Sequence, residues 1–564
     1  MSIAAPHTAI DRFAGKSILI VTMVLVLVAV VGPIGMLLYA AFRTGTPGAP
    51  DASWTLDNVH EVYGTGEILV PLWNTVLTCG LGTLIAVVMG FLLAWLIYRT
   101  DIYGRRWLES GLLIPIYFSP LSLAVGWVVL ASPRIGLLNL VWPFSQSVVN
   151  VYTLTAIVLF IGLYYTPYVY LVAGGALRSL DAGYEDASAI LGGRPLQTLR
   201  RVTLPMLRPQ LVASSLLVFI LSISMFAEPA LFGARIDFVN LPLAVFRAIT
   251  NVPANFNLAA TIGTVMLFGA VVGLLLYRMA LSSSERFVTT QSRGFSERRT
   301  TLGRTRPFAS GFAIIYLLAV VGLPVIALIY TSFLPYLSPR LSFSRFSLVN
   351  YVDALNNPMV IDAIRNTLVL SVSVATITTI FGFLVAYIIV RREIRGASVL
   401  DAVSILPIGV PAIVLSVGFL WAYLWAPIGI YGTIWALMVA LSTVIIPNTI
   451  RNLDAAMRQL GTDVEFAARI LGAGTFRRIL HIALPMLRGP LISGWLLAFM
   501  LTTIQVSVPI ILRTPGQEML SVAVWSLVTG SGDLGQSSVV ALLQGVVAGI
   551  VVLLARRVGR EDRL

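Results

Sequence analysis

Hydrophobic residues in this chain occur in twelve long runs separated by short polar segments. A helix that crosses a bilayer needs about 20 mostly apolar residues, and the runs reach that length. They fall into two sets of six, at 17–42, 68–98, 108–131, 151–177, 210–234 and 258–280, then at 308–333, 366–390, 398–426, 430–450, 490–512 and 536–556. The pattern predicts an all-α polytopic membrane protein with about 12 transmembrane helices in two parallel six-helix repeats.

The basic residues predict how these helices are oriented. With the N-terminus placed inside, 30 of the 38 Lys and Arg residues fall in inside-facing segments and 8 in outside-facing segments. This bias follows the positive-inside rule, so both termini are predicted to lie in the cytoplasm. The first run is too long for a signal peptide and has no small-residue cleavage site before Arg43, so we expect it to remain as an anchor.

Composition excludes several classes of protein. Hydrophobic residues make up 57% of the chain and charged residues 11%, which excludes a soluble enzyme, a disordered chain and a disulfide scaffold. Continuous apolar runs argue against an outer-membrane barrel. The net charge of +13 is interpreted as membrane topology and not as a nucleic-acid partner. With one cysteine, Cys79, and three separated histidines, we predict no metal site, no catalytic residue and no cofactor.

Two polar loops of the chain are copies of one sequence. Residues 178–211 align without gaps with residues 458–491 at a constant offset of 280, and 13 of the 34 positions are identical. Each copy follows the fourth apolar run of its half, and parallel repeats of this kind build transporters around an axis normal to the membrane. The polar segment 281–307 has the composition of a linker. The predicted organisation is therefore a first half at 1–280, a cytoplasmic linker at 281–307 and a second half at 308–564.

We call residues 178–208 and 458–488 the first and second repeated loops. Each is too polar to insert in the bilayer and is predicted to form a helix, a turn and a second, basic helix on the membrane surface. The predicted parts are helices over Asp181–Leu191 and Thr462–Leu471, the glycines Gly192 and Gly472 that end them, and the pairs Leu204-Pro205 and Leu484-Pro485 that follow the second helix.

The pattern Gly-x9-[Ile/Val]-x-Leu-Pro in both repeated loops resembles the EAA loop of permease subunits of binding-protein-dependent ABC importers. The resemblance implies a type I ABC importer permease fold, in which this loop docks into a groove of a separate ATPase subunit. It also implies a location in a bacterial inner membrane. The implied partners are two copies of that ATPase, an extracytoplasmic solute-binding protein and the lipid bilayer. A nucleic-acid partner is not expected.

The resemblance carries the ATPase-coupling role to the matching residues of both loops: Glu185, Asp186, Ala187, Gly192, Leu204, Pro205, Glu465, Phe466, Ala467, Ala468, Gly472, Leu484 and Pro485. The small residues would let the helix seat deeply, and the acids in its first turn would pair with basic groups of a partner. The family's Glu-Ala-Ala falls on Asp186-Ala187-Ser188 and on Phe466-Ala467-Ala468. The second loop therefore departs from the pattern, and we expect it to dock in a more apolar way. A lipid-surface helix without a partner is the alternative, which two matched copies disfavour.

One motif near the N-terminus resembles a nucleotide site. Gly15-Lys16-Ser17 matches the end of a phosphate loop, but the first glycine would fall on Ile10 and no strand precedes it. Lys16 is also the only lysine in the chain. We therefore predict that the chain binds no nucleotide and that ATP hydrolysis takes place on a separate subunit.

Apart from Glu109 and Asp401 in the first residues of their runs, Glu228 is the one acid that the apolar pattern places within a span. It lies late in the fifth run, near the outer surface, where a charge reaches water at little cost, and Val508 stands at the matching position. A role in the substrate path and a structural role both remain open. Other polar residues of the paired fifth spans could line a path or hold helices together: Ser222, Ser224, Gln505 and Ser507.

Two outer loops also repeat. Residues 243–246 match residues 522–525 at an offset of 279 and predict short amphipathic helices near the pore mouth. With other outer segments they could form the surface that receives a solute-binding protein; a hydrophobic re-entrant turn is the alternative.

Function and substrate are separate questions. A secondary transporter would need several acids buried at mid-membrane, and a membrane enzyme would need a clustered acid–base constellation, so the repeated loops favour the importer permease. The fused halves and the regions of Glu228-Pro229 and Val508-Pro509 are similar to ferric-iron-type permeases, which implies ferric iron as the solute. Permeases of similar appearance transport polyamines, thiamine, phosphonates, sulfate or molybdate.

Overall fold

The apolar runs form helices in the computed structural model, which describes residues 7–49, 51–141, 149–180, 183–284, 301–338, 343–391, 395–426, 429–461 and 463–561. Within these ranges the fold is helical, and an isolated β-bridge joins Arg43 and Trp54. In the same ranges nine helices are long and apolar enough to cross a membrane, and three bent pairs raise the number to twelve when each pair is one span. The predicted all-α fold is confirmed.

The two halves have matching helix orders. The first half contains α1 (His7–Ala41), α2 (Asp57–Val59), α3 (Leu69–Arg99), α4 (Arg105–Gly111), α5 (Ile114–Tyr117), α6 (Pro120–Ala131), α7 (Leu137–Val141), α8 (Leu154–Ser179), α9 (Gly183–Ile190), α10 (Pro195–Thr198), α11 (Leu204–Ile223), α12 (Ala227–Gly233), α13 (Leu241–Thr250) and α14 (Phe256–Ser284). The second half contains α15 (Arg306–Leu317), α16 (Leu323–Ser332), α17 (Val349–Asn356), α18 (Pro358–Arg391), α19 (Ala397–Gly409), α20 (Ala412–Trp425), α21 (Ile434–Gln459), α22 (Asp463–Ile470), α23 (Thr475–Arg478), α24 (Leu484–Met486), α25 (Arg488–Thr503), α26 (Ser507–Leu512), α27 (Leu520–Ser526) and α28 (Leu534–Glu561).

The third span of each half is sharply bent, which the apolar pattern did not predict. The helices on the two sides of the bend meet at 97° in the first half and at 109° in the second. Pro120 begins α6 and Pro411 precedes α20, and the residue before each proline, Ser119 or Val410, has extended backbone angles. A proline disfavours the helical conformation in the residue before it, which favours a helix break at these two positions.

The fifth span of each half is also interrupted. The helix α11 ends at Ile223, and the short helix α12 begins at Ala227; α25 ends at Thr503, and α26 begins at Ser507. The predicted runs 210–234 and 490–512 are therefore each two helices joined by three residues. Both interruptions occur at equivalent positions, so the structure has a broken fifth span in each half.

The first span of each half packs against the opposite half. The helix α1 lies along α20, and α16 lies along α6. Two glycines allow these close crossings: a Cβ atom added to Gly418 would lie 2.7 Å from the carbonyl carbon of Pro33, and one added to Gly126 would lie 2.7 Å from the carbonyl oxygen of Pro324. Only a residue without a side chain fits such an approach of two helix backbones.

The hydrophobic core also joins the halves, because the first span of each half packs against the opposite half. One buried cluster combines Leu19, Val26 and Val30 of α1 with residues of α18, α19 and α21, and another combines Tyr316 of α15 with residues of α3 and α8. Neither half buries its helices alone. Residues 285–300 of the predicted linker lie outside the described residues, so the boundaries at 281–307 stay a prediction.

Candidate functional site

A cavity of about 140 Å³ lies where helix breaks from both halves meet. Pro120 and Ala412 reach it from the bent third spans, and residues 224–228 and 504–507 reach it from the interrupted fifth spans. A helix break leaves backbone groups without their usual partners, and within a membrane such backbone is tolerated only where it is covered by protein or lines a cavity. The backbone groups at these helix breaks therefore line a cavity between the two halves.

The structure brings most of the predicted path residues together at this cavity. Ser224, Glu228, Gln505 and Ser507 line it. Ser222 does not, because its hydroxyl donates a hydrogen bond of 2.9 Å to the carbonyl of Phe219 in the preceding turn. Tyr165 of α8 also lines the cavity, with its hydroxyl donating to the carbonyl of Leu221 at 3.0 Å, and the sequence offered no signal for it.

The environment of Glu228 differs from the expectation. The side chain lies in the first turn of α12 and the residue is 4% exposed, so the expected access to outer water is wrong. The break at 224–226 turns the chain inward before α12 begins, and this carries Glu228 from the surface to the cavity. Its counterpart Val508 is fully buried on α26. The cavity therefore receives a carboxylate from the first half, whereas Val508 of the second half is not among its lining residues.

Three aromatic rings join the halves beside the cavity. Phe226 lines the cavity, and its ring centroid lies 5.1 Å from that of Phe246 and 5.4 Å from that of Trp525. Phe246 is on α13 and Trp525 is on α27, which confirms short helices in the two repeated outer loops. We call Phe226, Phe246 and Trp525 the aromatic cluster. It packs residues of both halves against one wall of the cavity.

The repeated loops have the predicted helix–turn–helix form. The helices α9 and α22 are followed by Gly192 and Gly472 at φ of +82° and +87°, a conformation that glycine adopts without strain. The predicted helix starts at Asp181 and Thr462 lie outside the described residues. In both loops a five-residue π-helical turn precedes the Leu-Pro pair, because proline cannot donate the next helical hydrogen bond.

The path after the Leu-Pro pairs differs between the loops. In the first loop the chain continues through Pro209 into one helix, α11. In the second loop the sequence Gly489-Pro490 follows Arg488, and the helix bends by 78° between Met486 and Arg488. A proline preceded by a flexible glycine favours a full break over a kink.

The second repeated loop is fixed to the membrane domain by a buried ion pair. The guanidinium of Arg391, the last residue of α18, donates two hydrogen bonds of 2.7 and 2.9 Å to one carboxylate oxygen of Glu465. The hydroxyl of Tyr387 donates to the other oxygen at 3.2 Å. The side chains of Arg391 and Glu465 are 8% and 9% exposed, so α22 is held at the end of α18 by charge-assisted bonds out of water.

The corresponding attachment in the first loop is looser. Arg99, the last residue of α3, has its Nε atom 3.6 Å from Glu185, and its guanidinium donates instead to the carbonyls of Leu177 and Leu180 at 3.0 and 2.9 Å. Glu185 accepts its short bond, 2.9 Å, from the hydroxyl of Thr203. In this half the arginine holds the end of α8 and the glutamate holds its own loop.

These contacts correct the expected role of two acids. Glu185 and Glu465 were expected to pair with basic groups of a partner, but both bond within the chain. The sequence contained a signal for this, since Arg99 and Arg391 recur at an offset of 292. Both loops also expose apolar side chains, and these residues are more than 40% exposed: Tyr184, Ile190, Leu191, Val464, Phe466, Ile470 and Leu471. An exposed apolar patch of this kind is typical of a protein interface.

Comparison with known proteins identifies the family of this chain. Residues 82–282 and 378–559 each match the binding-protein-dependent transport system inner membrane component. The chain belongs to this family. It is a multi-pass permease of the inner membrane, in a system whose ATPase is a separate subunit. The resemblance of the two repeated loops is thereby confirmed.

Three relatives show how far the similarity extends. The chain is 25% identical to the ferric transport system permease protein FbpB of Actinobacillus pleuropneumoniae, over 97% of this chain and 77% of that one. It is 26% identical to a putative ferric transport system permease protein FbpB of Haemophilus influenzae, over 89% and 78% of the two chains. The sulfate transport system permease protein CysT of Salmonella typhimurium is 29% identical, over 36% of this permease and 73% of the relative.

Proposed function

We propose that this permease carries ferric iron from an extracytoplasmic binding protein through the central cavity into the cytoplasm. Among the described residues that line the cavity, Glu228 is the one acidic side chain, and this observation carries the proposal. Fe³⁺ is a hard cation that favours oxygen ligands, and a single carboxylate with Ser224, Gln505 and Ser507 is a weak oxygen-rich site. A weak site suits transport because a tight one would trap the ion.

The relatives support a cation more than an anion. Two relatives that match most of this chain are named as ferric transport permeases, whereas the sulfate permease matches about a third of it. A buried carboxylate would repel sulfate, molybdate or a phosphonate, and it would accept a polyamine or thiamine as well as iron. Iron therefore has to be tested against those two organic cations.

The transport test uses the whole system. Permease, ATPase and binding protein are reconstituted in proteoliposomes, and ATP-dependent accumulation of radioactive iron, spermidine and thiamine is measured. We expect iron alone to accumulate, and Glu228→Gln to slow its uptake several-fold while ATPase binding is unchanged. Ser222→Ala is the matched control, since Ser222 lies outside the cavity lining. Accumulation of spermidine or thiamine, or a wild-type rate for Glu228→Gln, would overturn the iron path.

We further infer that two ATPase copies bind the exposed apolar residues of α9 and α22 from the cytoplasm. The duplicated loop supports two contacts, and the basic bias of its side of the chain supports the orientation. Native mass spectrometry of the complex should give two ATPase subunits per permease. One ATPase per permease would contradict the stoichiometry.

The orientation of the chain has its own test. A fluorescent protein fused to the C-terminus should fold and fluoresce, which requires a cytoplasmic terminus.

A further inference from the structure

An open groove of about 640 Å³ lies between α3 and α11 in the first half. Its walls are largely apolar, and they include Leu84 and Val87 of α3 and Leu211 and Val212 of α11. Leu84 is 60% exposed and Val212 is 42% exposed, although both lie within predicted membrane spans. Apolar side chains exposed at this depth face lipid, and the volume is within the range of roughly 300–1,000 Å³ that small-molecule sites occupy.

The second half fills the equivalent space with its own side chain. Ser215 in the groove corresponds to Trp495 of α25 at the offset of 280. The indole of Trp495 donates a 3.1 Å hydrogen bond to Thr376 of α18 and stacks on Phe499 with ring centroids 5.5 Å apart. Ser215 instead donates to the carbonyl of Val212 in its own helix. The Trp495 side chain thus fills the space between the two helices in the second half, whereas the equivalent space in the first half is an open groove.

The end of the groove nearest the first repeated loop is basic. Arg208 lines it beside Leu204 and Pro205, and no ion pair or hydrogen bond joins the Arg208 side chain to another described residue. Arg201, seven residues earlier in the same loop, is also exposed. Basic pockets between membrane helices near the cytoplasmic surface bind anionic lipid headgroups.

We propose that this groove binds one anionic glycerophospholipid, with an acyl chain along α3 and α11 and its phosphate on Arg208. The acyl chain takes the place that Trp495 fills in the second half, which is why we assign a lipid and not a soluble ligand. The helix α11 continues directly from the first repeated loop, so the bound lipid braces that loop against α3.

Native mass spectrometry of the detergent-purified permease tests this site. The permease is titrated with phosphatidylglycerol, phosphatidylcholine or inorganic phosphate. We expect one tightly retained phosphatidylglycerol, and Ser215→Trp should abolish that retention by copying the second half. Arg208→Gln should weaken phosphatidylglycerol about fivefold, the effect of one lost charge, and should weaken zwitterionic phosphatidylcholine less. Arg488→Gln is the matched control, because Arg488 occupies the equivalent position where Trp495 fills the space.

A second variant separates binding from folding. Leu84→Phe narrows the groove from α3, so it should also reduce phosphatidylglycerol retention while the melting temperature stays near that of the wild type. Retention unchanged in both Ser215→Trp and Leu84→Phe would overturn the proposal. So would competition by inorganic phosphate, which would show a free-anion site, or equal retention of phosphatidylglycerol and phosphatidylcholine. None of these readouts depends on the transported solute.

Discussion

The crossings between the halves and the attachments of the repeated loops show opposite degrees of symmetry. At the crossings, Gly126 meets Pro324 and Gly418 meets Pro33, so the same pair of residue types occurs in both halves. At the attachments, Arg391 binds Glu465 at 2.7 Å, whereas Arg99 stays 3.6 Å from Glu185. The contacts that assemble the permease thus use the same residue types in the two halves, and the contacts that connect the loops to the spans differ in geometry.

The largest effect should come from filling the crossings. Gly126→Ala and Gly418→Ala each place a methyl group within 2.7 Å of backbone atoms of Pro324 or Pro33, and rigid backbone cannot move away easily. We expect each variant to lose about 3 kcal/mol or more of stability, because both crossings bring a glycine against proline backbone. The measurement is the melting temperature of the purified permease.

Gly269→Ala is the control for the crossings, because a Cβ atom there meets no atom within 4 Å. If Gly126→Ala were tolerated and Gly418→Ala were not, the two crossings would be unequal, and the symmetry inferred for them would be contradicted.

The next largest effect concerns the turns after α9 and α22. Gly192 and Gly472 have φ of +82° and +87°, and the proline ring fixes φ near −65°, so Gly192→Pro with Gly472→Pro must rebuild both turns. We expect ATP-driven uptake to be abolished while the permease stays in the membrane at its normal level. Membrane fractionation and the proteoliposome assay measure the two quantities. Uptake that persists in the double variant, or in the absence of any ATPase, would refute coupling through these loops.

The attachments should respond unequally to loss of charge. Glu465→Gln leaves the buried guanidinium of Arg391 without its ion pair, and we expect a loss of about 3 kcal/mol. Glu185→Gln removes a longer contact and keeps an oxygen that accepts from Thr203, so we expect a smaller loss of about 1 kcal/mol. Thermal unfolding and ATP-driven uptake of both variants measure the difference.

A surface ion pair provides the control for these charges. Arg451 and Asp401 lie 2.7 Å apart with side chains 33% and 38% exposed, so Arg451→Gln should change stability little. Equal losses for Glu465→Gln and Glu185→Gln would remove the asymmetry that the distances suggest.

The smallest expected effect distinguishes how each loop docks. Phe466 is 62% exposed on α22, and Phe466→Ala should weaken ATPase binding with little dependence on salt, since apolar burial is lost. Asp186→Asn on α9 should weaken it in a salt-sensitive way, since a charge is lost. The affinity of the ATPase for each variant, measured at low and high ionic strength, tests this. The same salt response in both variants would show that the departure at Phe466 has no effect on docking.

The repeated loops could be predicted from sequence because their information is local. Gly192 and Leu204-Pro205 act within their own turn and helix, and they recur as Gly472 and Leu484-Pro485, so one copy supports the interpretation of the other. The spans themselves were also predictable, since the length of an apolar run is a local property. The bends at Pro120 and Pro411 had a local signal as well, but hydropathy alone does not report it.

The parts that sequence could not predict depend on contacts between distant segments. The burial of Glu228 results from a chain interruption and from Ala412 of α20 and residues 504–507, more than 180 positions away, which no local pattern connects to it. The partner of Glu465 lies 74 positions earlier, at Arg391. Hydropathy places such acids in a loop or a span, and only the packing of helices shows which charges they meet.

The crossing of α1 onto α20 and of α16 onto α6 has a consequence for how the halves can diverge. Because both halves belong to one polypeptide, each permease always contains one copy of each, and no mixture of self-paired dimers can form. A homodimer would have to place the same residue at both equivalent positions, including those where burial of a second carboxylate beside Glu228 would be unfavourable. Covalent fusion removes that constraint, so a residue that works only once per complex, such as Glu228, can be kept in one half and replaced by Val508 in the other.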